Sequence, residues 1–249
     1  MKREGMPPLD PEMRDALRLE VQTSSPKERE AYEREVEGVY HDFLAKWGEF
    51  VKEPIPKQEI ANRFIGTDDE TLQQHIYPDW FRAGDRVQAM HAMTDMVRKT
   101  VFMERMTQEE AAELWHSARE DVRERVREAN GYADDADAVR RLRESTDRNT
   151  IAHEIAHLMQ DNTLPHWFME MGARWYGRQA EFMKAEHLLE GSIQRTLADH
   201  YDALLDEHGD LVHRMYFGSK SKRTFKRFEK KFAAECKALS DAFSELGSA

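Results

Sequence analysis

The sequence predicts a single α+β domain over residues 1–249 that is mostly α-helical and has a small sheet near its N-terminus. The chain has 249 residues, enough to bury one large core. It contains only 12 glycines and 8 prolines, which disfavours a many-stranded sandwich. Apolar residues recur at helical spacing over most of the chain, while candidate strands are confined to two short segments before residue 66.

The first part, residues 1–80, is predicted to run strand, helix, strand, helix. Residues 17–23 alternate apolar and polar side chains, as in a half-buried strand. Pro26 then suits the first turn of a helix, which prolines at 54 and 56 end. Residues 60–65 are a short strand candidate, and residues 67–76 have the cap and acidic first turn of a short helix. The apolar positions of the long helix are Tyr32, Val36, Val39, Phe43, Trp47 and Phe50.

The second part, residues 86–143, is predicted to be almost wholly helical and is treated as an insertion. Thr107 and Glu110 form a capping box for a helix that Gly131 ends. The third part, residues 149–249, carries the candidate site and further helices, with breaks near His208 and Gly218. One core-facing apolar stripe of the second part consists of Met90, Met93, Met96, Val97 and Val101.

Composition excludes several classes of function. The net charge of -11 argues against a nucleic-acid-binding protein, which would normally be basic. Residues 1–13 lack the apolar segment of a signal peptide, and no stretch approaches the ~18 apolar residues of a membrane span. As written, the chain is expected to be cytoplasmic, although a domain of a longer secreted or anchored protein would look the same.

The most informative segment contains His153, Glu154 and His157 in the pattern H-E-x-x-H. Residues four apart lie on one face of a helix, so the two imidazoles can bind one Zn²⁺. Glu154 can then act as general base towards the metal-activated water. The apolar residues Ile151 and Ile155 around the motif favour a buried helix over an exposed one with two surface histidines.

The downstream segment 165–175 resembles the second motif of the gluzincin superfamily of zinc metallopeptidases. Its matching residues are Pro165, Trp167, Phe168, Glu170, Ala173 and Trp175, with the usual glycine displaced by one to Gly172. The resemblance implies a zincin-like fold, zinc bound by His153, His157 and Glu170, and hydrolysis of peptide bonds with Glu154 as catalytic residue. It also implies that a peptide or protein substrate adds to an edge strand above the zinc. A looser resemblance covers the strand and long helix of the first part.

Some roles stay open at this stage. Only 12 residues separate His157 from Glu170, which requires a tight connection, and Glu186 or Glu190 is the alternative third ligand. Metzincins are disfavoured because Gln160 and Thr163 stand where their glycine and third histidine would be. Asp161 is either a partner of a ligand histidine or a turn residue. Three side chains are candidates to stabilise an oxyanion, but a packing aromatic or a surface histidine is the favoured interpretation of each: Tyr201, His213 and Tyr216.

Three hypotheses about function follow. The leading one is a zinc-dependent metallopeptidase. The alternatives are a non-catalytic zinc-binding helical interaction domain and a helical interaction protein without metal. The basic stretch 220–231 suits either an anionic surface or, more simply, a final helix with phenylalanines on the core and lysines in solvent.

Overall fold

The computed structural model describes residues 26–66, 92–95, 99–103, 105–180, 192–218 and 222–246. This part of the chain is mostly helical with one small sheet, as the sequence predicts. None of its helices has the length and apolar character needed to cross a membrane. The helices are α1 (Pro26–Trp47), α2 (Lys57–Ile60), α3 (Gln108–Ser117), α4 (Glu120–Asn130), α5 (Asp135–Met159), α6 (His166–Ala180), α7 (Ser192–Tyr216), α8 (Lys222–Lys231) and α9 (Ala233–Leu246). The strands are β1 (Phe64–Gly66), β2 (Ala92–Asp95) and β3 (Thr100–Met103).

The long first helix has its predicted start and buried face, but it ends at Trp47, before Phe50 and before the two prolines expected to end it. It begins at Pro26 and ends at Trp47, and its apolar stripe is buried in the main core. Beyond it, the hydroxyl of Tyr40 donates a hydrogen bond of 2.5 Å to the carbonyl of Ile55 and holds the proline-containing segment against the helix. The predicted strand 17–23 and the predicted helix 67–76 lie outside the described residues.

The strand expected at 60–65 is shorter and later than predicted. Ile60 ends the short helix α2, and Ala61–Arg63 form one 3₁₀ turn. Only Phe64–Gly66 pair as β1. So short a segment, with Asn62 and Arg63 at its centre, has no period that separates a helical turn from a strand, and the strand boundary follows from pairing with β3.

The prediction that residues 86–143 are almost wholly helical was wrong for the two strands β2 and β3. The sheet order is β1-β3-β2, with β1 parallel and β2 antiparallel to the central β3. All four residues of β3 are buried. A central strand covered on both faces is a continuous apolar run, without the alternation that identifies a half-exposed strand. The supposed helical stripe therefore included strand residues such as Val101, while Met90, Met96 and Val97 lie outside the described residues.

The single helix expected after Thr107 is two helices. The capping box is confirmed, since the Thr107 hydroxyl accepts from the Glu110 amide and the Glu110 carboxylate accepts from the Thr107 amide. Gly131, with a φ of 69°, ends the second helix as predicted. Between them Ala118 is extended, and the hydroxyl of Ser117 donates to the carbonyl of Leu114 at 2.8 Å. This side-chain bond competes with helix continuation at a place where the sequence has no glycine or proline.

The helix α5 is the element around which the candidate site is built. It follows its N-cap residue Asp134 and runs for 25 residues. It therefore continues through residues 143–149, where the sequence analysis places the boundary between the second and third parts of the chain. Its buried face packs on α6, α1, α3 and β2. A buried carboxylate on this helix, that of Asp147, accepts from the Arg105 guanidinium at 3.1 Å, and Arg105 also pairs with Glu35 of α1 at 3.0 Å. This network joins α1 and the segment after β3 to α5.

The C-terminal helices cover the other side of α6. The expected breaks are confirmed, because His208 has non-helical backbone angles within α7 and Gly218 has a φ of 74°. On α8, Phe225 and Phe228 are buried in the main core, while Lys226, Arg227 and Lys230 are exposed. The phenylalanines of this basic stretch therefore face the core.

Two glycine-to-alanine substitutions are expected to have opposite effects on stability. A Cβ at Gly172 of α6 would overlap the buried ring of Tyr216 and lie 3.0 Å from the Tyr201 hydroxyl. We expect Gly172→Ala to lower the free energy of unfolding by about 1–3 kcal/mol through overpacking. The matched control Gly38→Ala on α1 has no neighbour within 4 Å. It should raise that free energy by about 0.5–1 kcal/mol, because alanine is the better helix former. Urea denaturation measures both changes in the free energy of unfolding. If both substitutions raised it, or both lowered it, the packing described here would be contradicted.

Candidate metal centre

Three predicted ligand side chains come together where α5 packs on α6. His153 and His157 lie one turn apart on α5, and Glu170 lies on the second turn of α6. Nε2 of His157 is 3.0 Å from Nε2 of His153 and 3.4 Å from Oε1 of Glu170. All three donor atoms lie within 4.8 Å of one another. The two alternative ligands at 186 and 190 lie outside the described residues.

The spacing of these donors fits a small divalent ion. In tetrahedral zinc sites with bonds of ~2.0–2.1 Å, neighbouring donor atoms are about 3.4 Å apart. The two shortest donor separations, 3.0 Å and 3.4 Å, are close to that value. Two imidazoles and one carboxylate are also a donor set that Zn²⁺ accepts. Two of the three donor pairs therefore have nearly the spacing of a zinc site, and no pair is more than 4.8 Å apart.

A tight turn brings Glu170 to the histidines despite the short spacing in sequence. The amide of Asp161 donates to the carbonyl of Tyr216 at 2.7 Å, which fixes the end of α5 to the end of α7. The Asp161 carboxylate accepts from the amide of Thr163 at 2.9 Å, and its carbonyl accepts from the amide of Leu164 at 3.1 Å. Asp161 is thus a turn residue. Pro165 precedes the first residue of α6, in agreement with the sequence.

Small residues allow α5 and α6 to approach at the level of the site. A Cβ at Gly177 would lie 2.8 Å from the backbone carbonyl of Asn149 and 3.2 Å from Cβ of His153. Ala173 is fully buried between the helices. A larger side chain at Gly177 would separate the helices beside the first histidine, so this glycine is needed for the geometry of the cluster.

Burial and charge make the two histidines unequal. Burial, together with the neighbouring His157, lowers the pKa of His153 to about 3, so this ring is neutral. Burial alone would also lower the pKa of His157, but its hydrogen bond to Glu170 and the charge of that carboxylate raise it to about 8. Burial alone would raise the pKa of Glu170, but its hydrogen bond with His157 and the charge of that ring lower the pKa to about 2. The contact between His157 and the half-buried Glu170 therefore favours the charged form of both side chains.

Glu154, the predicted catalytic residue, is buried beside the cluster without belonging to it. It is 4 % exposed, and its Oε1 lies 3.7 Å from Nε2 of His153. Its other oxygen, Oε2, accepts a hydrogen bond from the hydroxyl of Thr94 on β2. Burial raises the pKa of Glu154, while the hydrogen bond from Thr94 and a charge on His157 act in the opposite direction.

Gln160 orients the second histidine. Nδ1 of His157 lies 2.9 Å from Oε1 of Gln160, an amide oxygen that can only accept, so Nδ1 carries the proton and donates. In the neutral ring this leaves the lone pair on Nε2, the atom that faces the cluster. The hydroxyl of Tyr216 also donates to Oε1 of Gln160 at 3.1 Å and so helps to hold the amide in place. The same hydroxyl lies 3.1 Å from the carbonyl oxygen of Met169.

Two of the three candidates for oxyanion stabilisation, Tyr216 and His213, have hydrogen-bond partners within the protein, and the third, Tyr201, is buried. The Tyr216 hydroxyl contacts Gln160 and Met169, as described above. The Tyr176 hydroxyl contacts Nδ1 of His213 at 2.6 Å. The hydroxyl of Tyr201 is buried beside Gly172 and has no hydrogen-bond partner among the described residues. An exposed polar group nearer to the cluster is His166, whose Nε2 is 3.6 Å from Oε1 of Glu170.

Two contributors were missed by the sequence analysis. Gln160 lies three residues after His157 and directly after the last residue of α5, so its spacing from the histidine was a signal that could have been used. Thr94 gave no such signal, because its segment was assigned to a helix and its contact spans 60 residues of sequence. No protein-family model, curated protein or solved structure compared with the chain matches it.

The bond between Gln160 and His157 leads to a prediction about stability. Gln160→Met keeps a side chain of similar length but leaves the buried Nδ1–H of His157 without its acceptor. We expect the free energy of unfolding to fall by about 1–3 kcal/mol, the cost of an unsatisfied buried polar group. The same substitution at the exposed Gln179 is the control and should change it by less than about 0.5 kcal/mol. Urea denaturation checks both, and equal effects would show that the contact contributes nothing.

Proposed function

We propose that this protein is a zinc-dependent metallopeptidase with a zincin-like site. The observation that carries the proposal is the cluster of His153, His157 and Glu170 with the buried carboxylate of Glu154 beside it. The cluster provides three donors, and Glu154 provides an acid–base group that is not one of them. This division of roles is what metal-assisted hydrolysis requires.

The donors favour a metal over a purely structural polar cluster. Nε2 of His157 lies 3.0 Å from Nε2 of His153 and 3.4 Å from Oε1 of Glu170, so the three donor atoms converge on one point between α5 and α6, all within 4.8 Å of one another. Buried imidazoles and carboxylates need partners, and a divalent ion would satisfy all three at once. When bound there, zinc supplies a Lewis acid and lowers the pKa of a coordinated water to about 7.

The number of donors favours catalysis over a structural zinc. Structural zinc is usually closed by four protein ligands, whereas catalytic zinc keeps one position open. Within the described ranges, His153, His157 and Glu170 are the only such group of donors. Glu154 would take a proton from the attacking water and pass it to the leaving amine, as a general base and then a general acid. Its Oε1 faces the cluster for this task.

The sheet supplies a surface for a peptide substrate. Among the described strands, β2 lies at an edge, since it pairs only with β3 on one side. It is also the strand that contacts the site helix, through Thr94 and Glu154. An extended peptide that added to β2 by main-chain hydrogen bonds would pass close to the catalytic carboxylate. The proposed substrate class is therefore a peptide or protein segment bound in extended form.

The first prediction is that the purified protein holds about one zinc ion per chain after dialysis against metal-free buffer. Glu170→Ala should reduce zinc content because it removes one of three ligands. The exposed Glu113→Ala is the control and should retain the metal. Elemental analysis measures all three. If Glu170→Ala retains zinc while Glu186→Ala or Glu190→Ala loses it, the third ligand is one of those glutamates.

The second prediction concerns the general base. Glu154→Gln keeps the size of the side chain but cannot accept a proton, so hydrolysis should fall by about 10²–10⁴-fold while zinc stays bound. A proteome-derived peptide library provides the substrates, and mass spectrometry of new termini provides the readout. Unchanged cleavage by a zinc-loaded Glu154→Gln variant would reject the peptidase proposal. Bound zinc without any cleavage by the wild-type protein would favour the non-catalytic zinc domain.

A further inference from the structure

The two carboxylate oxygens of Glu154 have different surroundings. Oε1 lies 3.7 Å from Nε2 of His153, on the side of the metal cluster. Oε2 points to the edge strand and accepts from the Thr94 hydroxyl. The side chain is 5 % exposed, so water has little access to its carboxylate. One oxygen is therefore directed at the cluster and the other is held by the protein.

A single torsion decides which oxygen faces the cluster. The terminal torsion of a glutamate is broad and intrinsically weakly restrained, so the carboxylate plane is set by its hydrogen bonds. The bond from Thr94 crosses from β2 to α5 and restrains that plane from one side. Because Thr94 lies on the strand proposed to bind substrate, it also fixes the distance between that strand and the carboxylate.

We propose that Thr94 is a positioning residue, which holds Oε2 of Glu154 so that Oε1 stays directed at the metal cluster. This inference rests on the proposed function. It assigns to the edge strand a second role besides pairing with an extended peptide. The substrate main chain and the carboxylate that transfers the proton are then aligned by the same strand.

A second contact between α5 and the antiparallel pair of strands β2 and β3, called the hairpin below, provides a control. Nζ of Lys99, in the turn before β3, donates to the carbonyl of Leu158 at 2.7 Å. Leu158 lies one turn after Glu154 on α5. Lys99 thus anchors the same hairpin to the same helix without touching the carboxylate. Removing the Lys99 contact therefore measures how much the attachment of the hairpin to α5 contributes to kcat, separately from the bond to Glu154.

The experiment compares Thr94→Val, Thr94→Ser and Lys99→Met in the zinc-loaded protein. Thr94→Val keeps the shape and the β-branched character but removes the donor. We expect kcat on a cleaved library peptide to fall about 10- to 100-fold, with KM and zinc content nearly unchanged. Thr94→Ser, which keeps the hydroxyl, should restore kcat to within about 3-fold of the wild type. Lys99→Met should lower the melting temperature but leave kcat within about 2-fold.

The outcomes separate this inference from the proposed function. If wild-type cleavage is absent or insensitive to Glu154→Gln, the proposed function fails. If cleavage depends on Glu154 but Thr94→Val retains full kcat, the positioning role of Thr94 is overturned. Equal losses of kcat in Thr94→Val and Lys99→Met would overturn it too, because they would show hairpin anchoring alone.

A measurement independent of activity tests the contact itself. Thr94→Val should lower the melting temperature of the zinc-loaded protein, because a buried carboxylate oxygen loses its donor. In a Glu154→Leu background that oxygen is absent, so the same substitution should cause a much smaller shift. Equal shifts in the two backgrounds would mean that Thr94 and Glu154 are not coupled, and the inference would fall.

Discussion

The structure depends on the close approach of α5 and α6, joined by one tight turn. The histidines lie on one helix and the glutamate on the other, so the cluster exists only if the helix axes approach closely at this level. Gly177 permits the approach, since a Cβ there would collide with the backbone of Asn149 and press on His153. The turn at Asp161 then sets the register that brings Glu170 level with His157. Without either feature the carboxylate of Glu170 would lie too far from the two histidines to complete the cluster.

A second constraint comes from the polar groups buried on α5. This helix carries Asp147, Glu154 and His157 on its inward face. Buried charges are costly unless each finds a partner, so the elements around α5 are placed to provide one. Arg105 reaches Asp147 from the segment after β3, Thr94 reaches Glu154 from β2, and Glu170 reaches His157 from α6. Two of the elements that pack on α5, β2 and α6, therefore also supply partners for its buried polar groups.

The same network explains how a small sheet matters to a mostly helical protein. Its described strands contain three or four residues each, too few to form an independent core. Their central strand is buried against the helices, which leaves β2 at an edge beside the site helix. The sheet contributes a main-chain edge and one hydroxyl next to a carboxylate. In the proposed peptidase these are the parts that meet the substrate, while the helices supply the metal ligands and the base.

The sequence by itself determined the local features of the site. The pair His153 and His157 follows from helical periodicity alone, and the capping box at Thr107 and the turn glycine Gly131 follow from local hydrogen bonding and backbone angles. The likeness of residues 165–175 to a known motif directed attention to Glu170. Each of these signals spans only a few residues, so neighbouring positions in the sequence contain all the information needed.

Only the tertiary structure decided the features that join distant segments. Residues 92–103 were assigned to a helix because the apolar run of β3 has no distinctive period. Its strand character comes from pairing with β1 and β2, which the sequence pattern does not encode. The partner of Glu154 could not be found for the same reason, since Thr94 lies 60 residues away. Local periodicity determines which face of a helix a residue occupies. Burial and pairing between distant segments determine which residues pack against that face.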